Sequence, residues 1–346
     1  MAPSRRILYD LSRHIVCNTL RNHNGKPCPD PVRTVAEYTA QYPVLVRAPG
    51  EGIRLVGEKL GRCFSTTSDP GMKLISSLNT ALHEFHESGI CLSRFDESNL
   101  VVSDEGPKQQ PLFRPTECGD DTEPPRDQTP GVLVNPGVMV MPDPGRLKFK
   151  DVEFHESTPA GIQANFYDAH AFITKNLLQP EIPVPDCIKH LLKLMKSPES
   201  ATMGPLIARH ASVVCFALRM LVVMRYIQYV RHALPYQDRA AAATVLEEMP
   251  YLDDWIERAK KNKLLELLFN HRRDKYLRDN ATGFLDFYYD VSINGMEWCW
   301  SRWFKPDGGY TLHEAETVAV VTYPELMPKI QESLWKTGHL KKAHWF

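Results

Sequence analysis

The sequence lacks the patterns that mark several common classes of protein. Its eight cysteines include no CxxC pair, which argues against a zinc ribbon or a thioredoxin-type redox site. No segment matches GxGxxG or a phosphate loop ending in GK[ST], and the glycine-spaced stretch 48–57 is interpreted as a plain turn. Too few apolar residues follow Arg5 and Arg6 to make the core of a signal peptide. A cytoplasmic or nuclear location with reduced cysteines is therefore expected, and the cytoplasm is predicted.

The sequence also has neither a large excess of charge nor an uninterrupted apolar run. Lys and Arg total 41 against 42 Asp and Glu, so contact with nucleic acid would require a local patch of charge. The most apolar stretch, 211–230, contains Arg219 and Arg225. Each such charge would cost about 2.5–3.5 kcal/mol at the centre of a bilayer. The stretch is interpreted as a buried helix or a partner interface, and no membrane contact is expected.

The length and composition fit a folded chain of two domains, or of one large domain. The chain has 346 residues, of which 43% are apolar, which is ordinary for a globular protein. Residues 1–71 are interpreted as an N-terminal extension, with helices predicted at 5–19 and 32–42. From Met72 onward, apolar residues recur at helical spacing up to a stop signal at Gly89.

Short elements and a spacer follow this helix. Strands are predicted at 90–92 and 100–102. Residues 104–137 are rich in proline and acidic residues, which predicts a flexible spacer. Alternating residues on either side of a Pro/Asp/Gly turn predict a β-hairpin at 138–149.

The second half of the chain reads as almost continuous helix. Asp186 is placed at an N-cap position. Helices are predicted at 186–196, 204–233, 239–248, 255–268, 276–292 and 323–336, with a loop near 305–310. The sequence therefore predicts a mainly α fold with one small hairpin.

Residues 72–102 have the layout of a protein-kinase C-lobe, in which a helix leads into the catalytic loop H-R-D-x-x-x-x-N. When Asn99 is aligned on the Asn of that loop, Leu92, Ser93 and Arg94 stand where His, Arg and Asp are expected. An arginine stays protonated and cannot accept the proton of a substrate hydroxyl. The resemblance therefore implies a degenerate pseudokinase, although Asn135 in VNPGVMVM is an alternative end of the loop.

A remnant of the metal-binding D-F-G motif is identified in RLKFKDVEF. Asp151 takes the place of its Asp, and Val152 and Glu153 replace the Phe and the Gly. Asp168, in NFYDAHAFI, resembles the start of the buried helix that follows the activation loop. No glycine loop or V-A-I-K strand precedes these segments. No cofactor is therefore expected, and ATP with magnesium is the alternative that the remnant leaves open.

The C-terminal half resembles the KEN ribonuclease domain of the unfolded-protein-response sensor kinase-ribonucleases and of ribonuclease L. In those families a Tyr is followed thirteen residues later by Arg-Asn, and four residues after the Asn by a His. Here Tyr276 is followed by Tyr289, Asp290 and Asn294, and YPELM at 323–327 resembles the closing F-P-x-L-L segment. The resemblance implies a pseudokinase C-lobe-like domain at 72–200 and an all-α KEN-like domain at 204–346.

The replaced residues are those that the ribonuclease reaction requires. Metal-independent RNA cleavage needs an acid–base pair and a cation near the phosphate. Asn294 cannot titrate near neutral pH, Tyr289 brings no positive charge, and Asp290 would repel a phosphate. We therefore expect a degenerate protein that binds itself, a related active kinase-ribonuclease or RNA, in RNA cleavage or stress signalling. Self-association is expected because the resembled domains work as dimers.

A basic segment before and around Tyr276 offers an alternative. Its candidate RNA-binding residues are Lys260, Lys261, Lys263, His271, Arg272, Arg273, Lys275 and Arg278. A working endoribonuclease could use Tyr276, His271 and Arg272 as a relocated site, although the solvated face of any helix has a similar composition. An unrelated all-α scaffold is the third interpretation.

Two further clusters are assigned to packing. His83 and His86 lie on one helical face, but no third ligand accompanies them, so no metal is expected. Trp298, Trp300 and Trp303 are interpreted as core residues, with stacking on RNA bases as the alternative.

Overall fold

The computed structural model describes residues 12–14, 32–48, 64–103, 145–214, 216–276, 280–300 and 312–345. Most of these residues are helical, which confirms the prediction of a mainly α fold. The predicted spacer at 104–137, the loop at 305–310 and Asn135 lie outside the described residues.

The α-helices are concentrated in the second half of the chain. They are α1 (Val35–Gln41), α2 (Asp69–Glu87), α3 (Pro159–Phe172), α4 (Asp186–Lys196), α5 (Gly204–Ala208), α6 (Phe216–Gln228), α7 (Leu234–Gln237), α8 (Arg239–Glu247), α9 (Trp255–Lys260), α10 (Lys263–His271), α11 (Ala281–Trp300), α12 (Leu312–Thr322), α13 (Leu326–Lys336) and α14 (Leu340–Trp345). Within the described ranges, no helix is long and apolar enough to cross a membrane.

In the part of the chain that the structure describes, seven short strands form three small antiparallel sheets. They are β1 (Val32–Thr34), β2 (Leu45–Ala48), β3 (Phe64–Thr67), β4 (Ile90–Leu92), β5 (Leu100–Ser103), β6 (Arg146–Phe149) and β7 (Phe154–Glu156). The sheets have the strand orders β1-β5-β6, β2-β3 and β4-β7. The predicted strands at 90–92 and 100–102 are confirmed.

Only the second strand of the hairpin predicted at 138–149 lies within the described residues. This strand exists as β6, but β6 pairs with β5, with Leu100 opposite Phe149 and Ser103 opposite Arg146. Residues 138–141 lie outside the described residues. Local alternation could not show this partner, because β5 precedes the whole spacer.

One N-terminal helix prediction is corrected at its start, and the other lies mostly outside the described residues. The helix predicted at 32–42 begins at Val35, since β1 takes the three preceding residues into the sheet with β5. Thr34 and Glu37 form a capping box that fixes this start, because each side chain accepts a hydrogen bond from the other's backbone N–H. Of the helix predicted at 5–19, the structure describes only one 3₁₀ turn, Ser12–His14.

The long helix predicted at 204–233 is broken. A 3₁₀ turn, Ala211–Val213, separates α5 from α6, and a π-helical turn, Tyr229–Ala233, follows α6. Gln331 satisfies the backbone at the break: its Nε2 donates to the carbonyl of Arg209 over 2.9 Å, and its Oε1 accepts from Ala211 N over 2.6 Å. This tertiary support comes from α13, so periodicity within the segment could not predict the break.

Three other helix boundaries differ from those predicted. The helix predicted at 255–268 is divided at Asn262, whose Oδ1 accepts from Leu264 N and Leu265 N and caps α10. The helices predicted from 276 and 323 begin later, at Ala281 and Leu326. The helix at 186–196 is confirmed, but Asp186 is its first residue and not its N-cap.

Of the two interpretations of 211–230, complete burial is wrong for one side of α6, whereas a partner interface stays a prediction. Leu218 and Leu221 are 52% and 54% exposed, whereas Val223, Tyr226 and Ile227 are buried. The helix therefore presents two adjacent leucines to solvent.

One hydrophobic core is continuous through the described residues. It includes α2, with Leu78 and Phe85 fully buried, and reaches as far as Ala343 in the last helix. A polar chain of four residues crosses this core between α4 and α13. Ser212 Oγ lies 2.8 Å from His210 Nδ1, His210 Nε2 lies 2.9 Å from His190 Nδ1, and His190 Nε2 lies 3.1 Å from Glu332 Oε2. The 204–213 segment is thus tied to both helices.

His86 is held neutral by its surroundings on α2. Its Nε2 lies 3.2 Å from Asn165 Oδ1, which also accepts from Leu92 N over 3.0 Å. The ring edge packs on Phe166. Burial lowers the pKa of His86 from 6.5 to about 4.

We predict an acid-dependent loss of stability from His86. The unfolded chain takes up the proton near pH 6.5 and the folded chain only near pH 4, so the stability is complete above pH 6.5 and declines below it. Between pH 7 and pH 5 this amounts to roughly 2 kcal/mol. Urea unfolding at both pH values should show a smaller loss for His86→Gln than for the wild type. His155→Gln, at an exposed histidine of β7, is the control; equal losses in all three proteins would contradict the prediction.

Candidate functional site

Two strand pairs bring the predicted kinase-remnant positions together. Pairing of β4 with β7 and of β5 with β6 holds residues 93–99 beside residues 150–153. Arg94 and Asn99 lie in the first segment, and Asp151 lies in the second. The structure therefore brings these three residues into one region.

Asn99 is used to join the two segments. Its Nδ2 donates to the carbonyls of Lys150 and Asp151 over 3.3 and 3.2 Å, and its Oδ1 accepts from Asp96 N over 3.1 Å. Asp151 has a left-handed backbone with φ of 51°. Its carboxylate is exposed, 3.7 Å from Lys150 Nζ. The amide of Asn99 is thus engaged with the backbone.

Arg94 forms an ion pair with Asp168 of α3. Its Nε lies 2.7 and 2.9 Å from the two carboxylate oxygens, and Phe95 N donates to the same carboxylate over 3.3 Å. The Asp168 side chain is only 3% exposed. Burial raises the pKa of Asp168, while Phe95 N–H and Arg94 oppose that shift. Arg94 stands at the position where the resemblance to a kinase would place the catalytic Asp, and it is paired with Asp168.

A cleft of about 740 Å³ opens beside this ion pair. Its acidic lining residues are Asp96, Glu97 and Asp168, and each accepts a hydrogen bond from within the chain. Hydrogen bonds from Ser98 lower the pKa of Asp96, which makes it a weak base. Lys150 and Lys175 also line the cleft. The cleft can bind a polar ligand, and its acidic side chains are already engaged by donors within the chain.

Tyr276 and Asp290 form the second candidate site. Tyr276 lies in a 3₁₀ turn, Arg273–Tyr276, and α11 brings Asp290 back against it. The Tyr276 hydroxyl donates to Asp290 Oδ2 over 2.5 Å, and the tyrosine is 1% exposed. Burial raises the pKa of Tyr276, and the Asp290 carboxylate raises it further. The phenol therefore keeps its proton and acts as a donor.

Two cations converge on the same carboxylate. Lys275 Nζ and Arg272 Nη1 lie 2.7 and 3.3 Å from Asp290 Oδ2. The two cationic side chains are 47% and 40% exposed, whereas that of Asp290 is 9% exposed. The site is thus a buried carboxylate covered by cations that reach it from solvent.

The other predicted RNA-binding residues are partly paired. Lys260 binds Glu257 over 2.6 Å, and the neighbouring Arg258 binds Asp254 over 2.8 Å. His271 and Lys261 are exposed. Arg278 lies outside the described residues, as do the side chains of Lys263 and Arg273.

Tyr289 does not join the Asp290 site. Its hydroxyl accepts a hydrogen bond from Gln228 Nε2, at the end of α6. The side chain of Asn294 lies outside the described residues. The structure therefore brings together two of the four predicted ribonuclease positions, Tyr276 and Asp290.

The structure describes the histidines of the first packing cluster but not the tryptophan side chains of the second. Among the described residues there is no group of three or more His, Cys, Asp or Glu side chains arranged to hold a metal ion. His86 contacts Asn165 and Phe166. The side chains of Trp298 and Trp300 and the whole of Trp303 lie outside the described residues.

The sequence did not predict the ion pairs at the two sites, which join Arg94 to Asp168 and two cations to Asp290. It noted Asp168 only as the start of a helix, and nothing in the spacing pairs it with Arg94. A charged residue within the apolar stretch NFYDAHAF was nevertheless a usable signal, because a buried carboxylate needs a partner. It also treated Asp290 only as a group that repels phosphate.

Comparison of the chain with protein families, with curated proteins and with solved structures finds no match. Its function must therefore be inferred from these two sites.

We predict that Arg94 stabilises the fold through Asp168. Replacing Arg94 by Met should lower the free energy of unfolding by about 2 kcal/mol, because a buried carboxylate loses its cation. Lys150→Met removes a cation from the same cleft, but the carboxylate that pairs with Lys150, that of Asp151, is exposed. This variant should change the free energy of unfolding by less than about 0.5 kcal/mol. Urea denaturation measures both. Equal effects would show that the Arg94–Asp168 pair contributes little.

Proposed function

We propose that the chain is a catalytically silent relative of the kinase-ribonucleases. It would consist of a truncated pseudokinase C-lobe followed by a KEN-like helical domain, and it would act by binding. One observation carries this proposal: at both sites the charged groups are occupied by partners within the chain. At the first site Arg94 neutralises Asp168, and at the second Arg272 and Lys275 neutralise Asp290.

The kinase part of the proposal is supported by topology and by chemistry. The strand pairs β4–β7 and β5–β6 hold the two remnant segments together, which is the arrangement that a kinase catalytic loop and its D-F-G segment require. Phosphoryl transfer also needs a base for the attacking hydroxyl. Arg94 cannot supply one, and Asp168 is buried against it.

The ribonuclease part is supported by the state of Tyr276. General base catalysis requires a group that can give up and accept a proton near neutral pH. The raised pKa of Tyr276 and its hydrogen bond to Asp290 oppose that role. The same geometry disfavours a relocated site, because Arg272 is also bound to Asp290.

The pairing of the basic segment favours a protein partner over RNA. Lys260, Arg272 and Lys275 each have a carboxylate within the chain, which reduces the charge available to a phosphate backbone. The partner that we favour is a second copy of this chain. The net charge of −1 gives little long-range repulsion between copies, and Leu218 and Leu221 form an exposed apolar pair. A related active kinase-ribonuclease would be the alternative partner.

We predict that the purified chain turns over neither substrate. Incubation with a structured RNA in the presence of a chelator should leave the RNA intact, because the Tyr276 phenol keeps its proton and Arg272 and Lys275 are bound to Asp290. Incubation with ATP, magnesium and a generic protein substrate should transfer no phosphate. The measurements are gel analysis of labelled RNA and of labelled phosphate.

Each contrary result has a distinct signature. RNA cleavage that leaves cyclic phosphate ends and is lost in His271→Ala would support the relocated ribonuclease. Cleavage lost in Tyr276→Phe, or phosphate transfer lost in Asp151→Asn, would overturn catalytic silence. A stabilising effect of ATP with magnesium on thermal unfolding would show that nucleotide binds without transfer.

We predict self-association through the exposed face of α6. Light scattering over a range of concentrations should show a dimer for the wild type. Leu218→Glu with Leu221→Glu should shift the protein to monomer, because two charges would have to be buried at the contact.

Tyr236→Glu is the matched control. Tyr236 is 91% exposed and lies beyond the end of α6, so this variant should leave the dimer unchanged. A wild type that stays monomeric at all concentrations would contradict self-association and favour a different partner.

A further inference from the structure

Another cavity, of about 390 Å³, lies where helices from the two halves of the chain meet. Helices α2, α6, α13 and α14 line it together with the end of α5. Its polar and aromatic lining residues are His83, Glu87, Arg209, Tyr226, Trp335 and Lys341. None of them belongs to either remnant site. The volume lies within the range of about 300–1,000 Å³ that is usual for sites of small molecules.

The hydroxyl of Tyr226 is a buried hydrogen-bond donor at the wall of this cavity. The tyrosine is 1% exposed, and its oxygen accepts a hydrogen bond from Gln331 Nε2 over 3.0 Å. A phenol can donate as well as accept. Within the described residues, no group accepts the proton of this hydroxyl. Because buried polar groups nearly always find partners, an acceptor bound in the cavity would complete the set.

Gln331 also holds Arg209 beside Tyr226. The same Nε2 donates to the carbonyl of Arg209 over 2.9 Å, so one amide nitrogen fixes the backbone of the arginine next to the phenol. Burial raises the pKa of Tyr226, while the Gln331 hydrogen bond and the charge of Arg209 oppose that shift. The phenol therefore keeps its proton, with a guanidinium close to it.

The charges around the cavity favour a ligand with a single negative charge. Arg209 and Lys341 are exposed cations, and neither forms an ion pair with the described part of the chain. Glu87 adds one negative charge. Burial lowers the pKa of His83, so its ring is neutral near pH 7. Two cations against one carboxylate leave one positive charge, and a second negative charge on the ligand would be repelled by Glu87.

An apolar surface accompanies these charges. Trp335 is half-buried and lines the cavity together with Leu340 and Pro205. An aromatic ring placed against the indole would bury apolar area and gain a ring contact. The cavity therefore combines donors for an anion with a surface for an apolar body.

We propose that this cavity binds a small monocarboxylate with an aromatic body. The carboxylate accepts hydrogen bonds from Tyr226, Arg209 and Lys341, and the body packs on Trp335. An aromatic amino acid has the same carboxylate and adds an ammonium group, for which Glu87 is the counter-ion. Since α2 and α14 both line the cavity, the ligand joins the two halves of the chain. This inference goes beyond the proposed function and does not depend on it.

Calorimetric titration of the full chain with 3-phenylpropionate tests the proposal. Saturable binding is expected at concentrations up to about 10 mM, at which even a weak site is filled. The neutral amide, 3-phenylpropionamide, should bind about tenfold more weakly, because it loses the charge-assisted hydrogen bonds. Equal affinities of the acid and the amide would overturn the proposal, as would the lack of saturable binding by both 3-phenylpropionate and L-phenylalanine.

Matched variants locate the binding site. Arg209→Gln and Lys341→Gln should each weaken binding about tenfold, since each removes a cation from the cavity. Arg225→Gln and Lys342→Gln remove the same charges at exposed positions that do not line the cavity, and should leave the affinity unchanged. Tyr226→Phe removes the buried donor and should weaken binding about fivefold. Circular dichroism checks that each variant is folded. Equal affinities within both matched pairs would overturn the assignment.

Glu87→Gln separates the two kinds of carboxylate. Tighter binding of L-phenylalanine than of 3-phenylpropionate, with the preference lost in Glu87→Gln, assigns the cavity to amino acids. Tighter binding of 3-phenylpropionate assigns it to simple carboxylic acids, and Glu87→Gln should then raise that affinity by removing the repulsion. Glu156→Gln, at an exposed glutamate of β7 that does not line the cavity, sets the effect of net charge alone. If Glu87→Gln and Glu156→Gln change the affinity of neither ligand differently, the carboxylate is not bound beside Glu87 and the proposal fails.

Discussion

Neutralisation of buried carboxylates is the constraint on which both candidate sites depend. A carboxylate removed from water is costly unless a cation and hydrogen-bond donors accompany it. Asp168 and Asp290 are almost completely buried, and each is served by arginine or lysine side chains that are themselves partly exposed. The cations at both sites are thereby bound to carboxylates of the same chain. In the catalytically silent protein that we propose, stability and loss of reactivity have the same physical origin.

Hydrogen bonds between distant parts of the chain also connect its helices, because buried polar groups need partners. The break between α5 and α6 leaves backbone groups without helical partners, and Gln331 supplies those partners from α13. His190, His210 and Glu332 continue this polar contact to α4. The hydrophobic core is continuous across the region. On the other side of the core, Asp168 and Asn165 of α3 bind Arg94 and the backbone of Leu92.

The sequence predicted the features that depend on local pattern. The helix that became α2, the strands β4 and β5, and the range of α4 followed from periodicity and stop signals. The breaks at 211–213 and Asn262 were missed, because a distant amide or a capping side chain decides them. At the sites, the resemblance to a kinase grouped Arg94, Asn99 and Asp151. The sequence did not show that Asp168 pairs with Arg94 or that Asp290 pairs with Arg272. Pairs such as Arg94 and Asp168 are 74 positions apart, a separation at which no local pattern operates.

The pairing of β5 with β6 has a consequence for how the chain tolerates change. Hydrogen bonds between Leu100–Ser103 and Arg146–Phe149 fix the two ends of the intervening segment beside each other. The entropy of closing a loop grows only with the logarithm of its length, by about 0.6 kcal/mol for each doubling. A change in the number of residues between these strands should therefore change the entropy of bringing the strand ends together only slightly. The β5–β6 pairing can therefore hold the two strand ends together while the length of the sequence between them varies during evolution.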